Sequence, residues 1–262
     1  MVHFILVHGL CHGGWCWYKV KPVLESAGHR VTMVDLAASG KNMTKIDDVH
    51  TMGDYTEPLI ELIESSVPPG EKVILVGHSL GGFNLALAMY RFPQKISATV
   101  FLAAYMPDSI HSPSYVLDQL RSRSSSQSES LLDIHFSSDD LDPANAKITM
   151  IFGRKFVASQ LYQLSPPEDL ALAEMLMRPG PSLHVDLSKR KAFSEVGYLS
   201  VNRVYIVCKK DVTLTEDFQS WMIENNQVKE VMEIEGADHM AMLSKPNEVC
   251  CCLLDIGATK YN

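Results

Sequence analysis

The chain has 262 residues, 46% hydrophobic and 21% charged, enough for a large buried core and with no compositional sign of disorder. A formal charge of −8 argues against nucleic acid or an anionic membrane as partner. No apolar run approaches the roughly 20 residues of a membrane helix, and the opening "MVHFILVHGL" lacks a basic n-region and a small-residue cleavage site, so a cytoplasmic protein without a signal peptide is expected.

Short β-rich runs alternate with helical patterns along the chain. "HFILVHG" (3–9), "RVTMVDL" (30–36), "KVILVGHS" (72–79), "ATVFLAAY" (98–105), "RVYIVCKKD" (203–211) and "VMEIEGADH" (231–239) read as strands. The first five are nearly continuous apolar runs, as expected when both faces of a parallel sheet are covered. Segments 16–27, 51–66 and 80–92 carry helical spacing, with Gly28 and Pro93 as stop signals beyond the first and third. The alternation predicts an α/β fold: a doubly wound, mostly parallel sheet of about six strands with right-handed crossovers.

Regularity breaks between about 108 and 195. "LRSRSSSQSESLL" is polar and serine-rich, and "SPPEDLALAEMLMRPGPS" reads as a helix leaving at Pro179-Gly180. An insertion of this length before the last two strands predicts a helical cap over the sheet's C-terminal edge. The expected division is therefore a core of 1–107 and 196–262 and a cap subdomain of 108–195. Cys250, Cys251 and Cys252 are consecutive, and Cys11, Cys16 and Cys208 sit in or beside strand-like runs. All six read as reduced thiols, without disulfide or metal-ligand spacing.

"ILVGHSLGG" (74–82) contains Gly77-His78-Ser79-Leu80-Gly81, a G-x-S-x-G pattern. Alone the pattern is weak. Here it ends a buried-type strand and opens a helix, the setting a nucleophile elbow requires. The bland alternative is a serine that caps the helix.

A nucleophilic serine needs a base, and the base needs an orienting acid, in the chain order Ser, acid, His on this kind of fold. Beyond Ser79 lie His111, His135, His184 and His239, and only His239 follows a strand-like run at the chain's end. The other three fall in the cap, where a surface or pocket role is expected. His78, beside the serine, is expected to point elsewhere. Asp211 ends the preceding strand and is the favoured acid, with Asp108 after "FLAAYMPD" as its rival. The oxyanion needs two backbone donors: Leu80, after the serine, and Leu10, in the glycine-rich loop "VHGLCHGGW".

With these residues in place the chain resembles, nearly end to end, the plant methylesterase and hydroxynitrile lyase family of α/β-hydrolases. The stretches that carry the resemblance are "HFILVHGLCHGGWCWYKVKPVLESAGHRVT", "VDLAASG", "EKVILVGHSLGG", "FLAAYMPDS", "RVYIVCKKD" and "GADHMAML". They are most like the salicylate and jasmonate methylesterases and polyneuridine aldehyde esterase. The resemblance implies the triad Ser79, Asp211 and His239, the oxyanion donors Leu10 and Leu80, and no metal or organic cofactor. It implies hydrolysis of a methyl ester of a plant small molecule, with Gly9, His12, Leu131 and Met240 as candidate substrate contacts.

Lyases of this family carry a threonine and a lysine where this chain has Gly9 and Met240, so the esterase reading is preferred. A hydroxynitrile lyase and a hydrolase-fold receptor with weak turnover remain the alternatives. Leu131 stands where salicylate-type esterases have a tryptophan, which suggests a wider pocket and a bulkier substrate such as an alkaloid ester. Relatives often pair as homodimers, though no exposed apolar stripe here demands it.

Overall fold

The computed structural model describes residues 1–123, 132–138, 148–193, 196–259 and 261. Six strands form one parallel sheet: β1 (His3–Val7), β2 (Arg30–Val34), β3 (Val73–Ser79), β4 (Ile96–Ala104), β8 (Asn202–Cys208) and β9 (Glu230–Ile234), in the order β2-β1-β3-β4-β8-β9. Pairing β1 with β2 aligns Phe4 with Val31, and pairing β1 with β3 aligns Phe4 with Ile74. The side-chain period of two then splits the apolar runs between two cores. Ile5, Val7 and Leu75 enter one core with α2 (Met52–Ser66) and α3 (Gly81–Arg91); Phe4, Leu6 and Val76 enter the other with α1 (Val20–Ser26). This two-sided burial is why these strands read as unbroken hydrophobic stretches. At the edge, β9 is largely exposed, and its sequence carries Glu230 and Glu233 among its apolar residues.

The helix expected at 51–66 starts with a reciprocal cap: Thr51 Oγ1 accepts from Asp54 N–H at 3.1 Å and Asp54 Oδ2 accepts from Thr51 N–H at 2.9 Å. The segment 16–27 is not one helix. A 3-10 turn, Gly14–Trp17, precedes α1, and Trp17 is fully buried there.

Between β4 and β8 lie α4 (Tyr115–Arg123), β5 (His135–Ser138), β6 (Ile148–Ile151), α5 (Pro167–Leu176), β7 (Gly180–Pro181) and α6 (His184–Lys189). The insertion is therefore not purely helical: β5, β6 and β7 make a small antiparallel sheet with β6 in the middle. Strands of only two to four residues, with β5 and β6 exposed or half-buried, leave no alternation for a sequence reading to find. A helical turn, Arg154–Phe156, runs directly into a π turn, Val157–Leu161. The fold closes with α7 (Glu216–Glu224) and α8 (Pro246–Ala258), each packed on the core. Among the described residues no helix is long and apolar enough to cross a membrane.

Candidate active site

In this strand order the chain runs from β1 outward to β2, then crosses back to β3 on the other side. The crevice at the carboxyl ends of β1 and β3 is the topological switch point, where ligands of open α/β sheets bind. Ser79 ends β3 there, one residue before Leu80, which heads α3. Its φ of 54° lies in the left-handed region, a strain of about 1–3 kcal/mol for a non-glycine residue that persists where surrounding structure enforces it. The turn is tight because α3 abuts β1: a Cβ at Gly81 would lie 2.9 Å from the His8 carbonyl oxygen. Gly9 is similarly confined, since a Cβ there would lie 2.8 Å from the Ser79 Cβ.

Asp211 follows β8 and His239 follows β9, so parallel neighbours deliver both to the same edge as Ser79. His239 Nδ1–H donates to Asp211 Oδ2 at 2.7 Å, with both side chains buried. Asp211 Oδ1 accepts from Thr213 N–H at 2.8 Å and Leu214 N–H at 2.9 Å, fixing the carboxylate from its other end. The rival Asp108 is engaged elsewhere, with His111 Nδ1 at 2.8 Å and two loop amides.

His78 departs from expectation. Its ring centroid lies 4.6 Å from that of His239, and its Nε2–H donates to the His239 carbonyl oxygen at 2.8 Å. Burial holds its pKa well below the ordinary histidine value. Its Nδ1 is buried without a hydrogen-bond partner among the described residues.

The loop after β1 is held by two more neutral imidazoles. His8 Nδ1–H donates to the Gly9 carbonyl at 2.7 Å, and its Nε2 accepts from Leu36 N–H at 3.1 Å. His12 Nδ1–H donates to the Leu10 carbonyl at 2.8 Å, and its Nε2 accepts from Tyr162 Oη–H at 2.9 Å. Burial, as the largest cause, lowers the pKa of each to about 4. Each ring therefore keeps one donor and one acceptor nitrogen at neutral pH.

A cavity of about 500 Å³ opens above this edge and is bordered by Ser79, His239, Gly9, Leu10, Leu80, His12 and Met240. Asp211 stands behind His239, outside the lining. Among the residues expected at the site, Leu131 lies outside the described residues. The insertion contributes the opposite wall, including Leu117, Phe152, Leu183 and His184. His184 Nε2 is 2.7 Å from Asp118 Oδ1, giving one cap histidine a pocket-facing place. Tyr105, Arg121 and Thr213 also border the cavity and carried no sequence signal. Among the described residues no group of three or more His, Cys, Asp or Glu could hold a metal ion.

Comparison with known proteins agrees with this architecture. Residues 4–250 match the model of the Alpha/beta hydrolase family. Salicylic acid-binding protein 2 of Nicotiana tabacum is 56% identical over 99% of this chain and 98% of its own. Methylesterase 3 of Arabidopsis thaliana is 56% identical over 99% and 97%. The crystal structure of polyneuridine aldehyde esterase superposes with a TM-score of 0.93 at 49% identity, covering 98% of this chain and 99% of that one.

Proposed function

Because the chain belongs to the alpha/beta hydrolase family, we propose that it is a serine carboxylesterase that hydrolyses methyl esters of plant small molecules, a phytohormone ester or an alkaloid ester. The observation that carries this reading is that Ser79, strained at φ 54°, borders one cavity with His239, whose Nδ1 is hydrogen-bonded to Asp211 at 2.7 Å. The relatives named methylesterase and polyneuridine aldehyde esterase support the ester class.

With Nδ1–H given to Asp211, the Nε2 of His239 is left as the base. It takes the Ser79 hydroxyl proton as the alkoxide attacks the ester carbonyl. The Leu10 and Leu80 amides hold the oxyanion, each worth about 3 kcal/mol in the transition state. His239 protonates the departing methanol, and a water then releases the acid by the same route. Asp211 stabilises the imidazolium in both halves of the cycle.

Hydroxynitrile lyase chemistry fits less well. A threonine in place of Gly9 would drive its Cβ to within 2.8 Å of the Ser79 Cβ, and Met240 offers no charge for cyanide. The cytoplasmic assignment draws on the six free thiols, five of them buried, which suit a reducing compartment.

The test is hydrolysis of methyl salicylate, methyl jasmonate, methyl indole-acetate and an alkaloid methyl ester by wild type and Ser79→Ala. Turnover by the wild type that falls about 10⁴-fold or more in the folded mutant is expected. A folded wild type inactive on the whole panel would overturn the reading, and a ligand that raised its Tm without turnover would point to a receptor.

A further inference from the structure

The insertion is fastened to the catalytic loops through residues 160–165. The Gln160 carbonyl accepts from Thr213 Oγ1 at 2.8 Å, two residues past Asp211. Gln163 Nε2 donates to the Lys210 carbonyl at 2.7 Å, and Tyr162 reaches His12 at 2.9 Å. The same segment meets the loop of His239 at Asp238, which is fully buried. Asp238 Oδ2 accepts from Leu164 N–H at 3.0 Å and Ser165 Oγ at 2.9 Å. Its Oδ1 accepts from Met240 N–H at 3.0 Å and Ser244 Oγ at 2.6 Å. One carboxylate oxygen thus serves the insertion and the other serves the histidine's own loop. Among the described residues four donors and no cation address this group, a pattern that an acceptor-only carboxylate satisfies and an amide does not.

We propose that Asp238 is a positioning residue for acyl transfer: it bolts the His239 loop to segment 160–165, and its buried charge stabilises the imidazolium that forms on His239. The proposal rests on the esterase reading. Asp238 does not border the cavity, whereas its neighbours His239 and Met240 do, so it acts through them.

The surroundings of His239 leave this role open to a second carboxylate. Asp211 faces it from the loop after β8, and His78 and His12 face it as neutral imidazoles. Lys209, on the same loop as Asp211, is engaged with Glu216 and with Glu233, and Lys210 is exposed. A buried charge with only neutral hydrogen-bond partners keeps a long reach in a medium of low dielectric.

The experiment is Asp238→Asn in the full chain, read by steady-state kinetics on the preferred methyl ester and by NMR titration of the ¹³C-labelled His239 imidazole. A kcat lower by about 10- to 100-fold with KM within about threefold is expected, together with a His239 midpoint below that of wild type. A midpoint equal to wild type, or an unchanged kcat, overturns the proposal. Should this variant fail to fold, Ser165→Ala combined with Ser244→Ala takes its place, with a kcat about 3- to 10-fold lower expected and an unchanged kcat overturning the idea. The titration needs no substrate, so its result stands apart from the success or failure of the ester panel.

Discussion

The two sides of the cavity are built differently. On the sheet side, the buried polar side chains around the serine are held by their own hydrogen-bond partners. Asp211 takes three hydrogen bonds, and His8 and His12 use both ring nitrogens. On the insertion side, half-buried apolar side chains such as Leu117 and Phe152 stand on a nine-residue helix and on the short link after β6. The lesson is a division of labour: geometry is fixed where bonds break and relaxed where substrate shape is sampled.

The sharpest test of that contrast is Asp211→Asn. It leaves the fold in place but reverses the hydrogen-bond preference at His239 Nδ1, and kcat should fall about 10⁴-fold with little change in Tm. Loss of only a few-fold would show that the sheet side is not fixed as described.

Acid should act next. Unfolded imidazoles bind protons near pH 6.5, whereas His8 and His12 in the fold bind them only near 4. Between these values the unfolded state holds more protons, so the stabilisation is complete above pH 6.5 and is lost as pH falls toward 4. Each site is worth on the order of 3 kcal/mol over that window, and a Tm series from pH 7 to 4 should decline accordingly. A flat series would mean that neither ring is held neutral.

Gly9→Ala should cost less. The added methyl presses on Ser79 at 2.8 Å, and about a 10- to 100-fold loss in kcat is expected from the displaced nucleophile. On the insertion side, Phe152→Ala should raise KM about tenfold with kcat within about threefold, the signature of lost uniform binding. If Phe152→Ala instead lowered kcat as far as Gly9→Ala, the contrast between the two sides would fail.

Much of the sheet side could be read from sequence because its signals are local. Apolar runs mark strands buried on both faces, and Gly77 and Gly81 around Ser79 mark a turn that only small residues permit. Chain order left both Asp211 and Asp108 open, since each follows a parallel strand after Ser79, and the hydrogen bond from His239 Nδ1–H decided for Asp211. The π turn at Val157–Leu161, the small sheet of the insertion and the tilted packing of His78 against His239 left no such trace. The small sheet and the histidine pair depend on residues distant in the chain, and the π turn and short strands span too few residues for periodicity to show.

The sequence by itself determined the covered parallel sheet, the serine elbow and the order of the groups around it, because hydrophobic period and turn chemistry act over a few residues. Only the tertiary structure decided that Asp238 faces Leu164 and Ser165, 74 and 73 residues away. A carboxylate does not announce its partner. Buried polar groups must be satisfied by whatever donors the packed chain brings within reach, and that set exists only once the insertion has folded over the sheet.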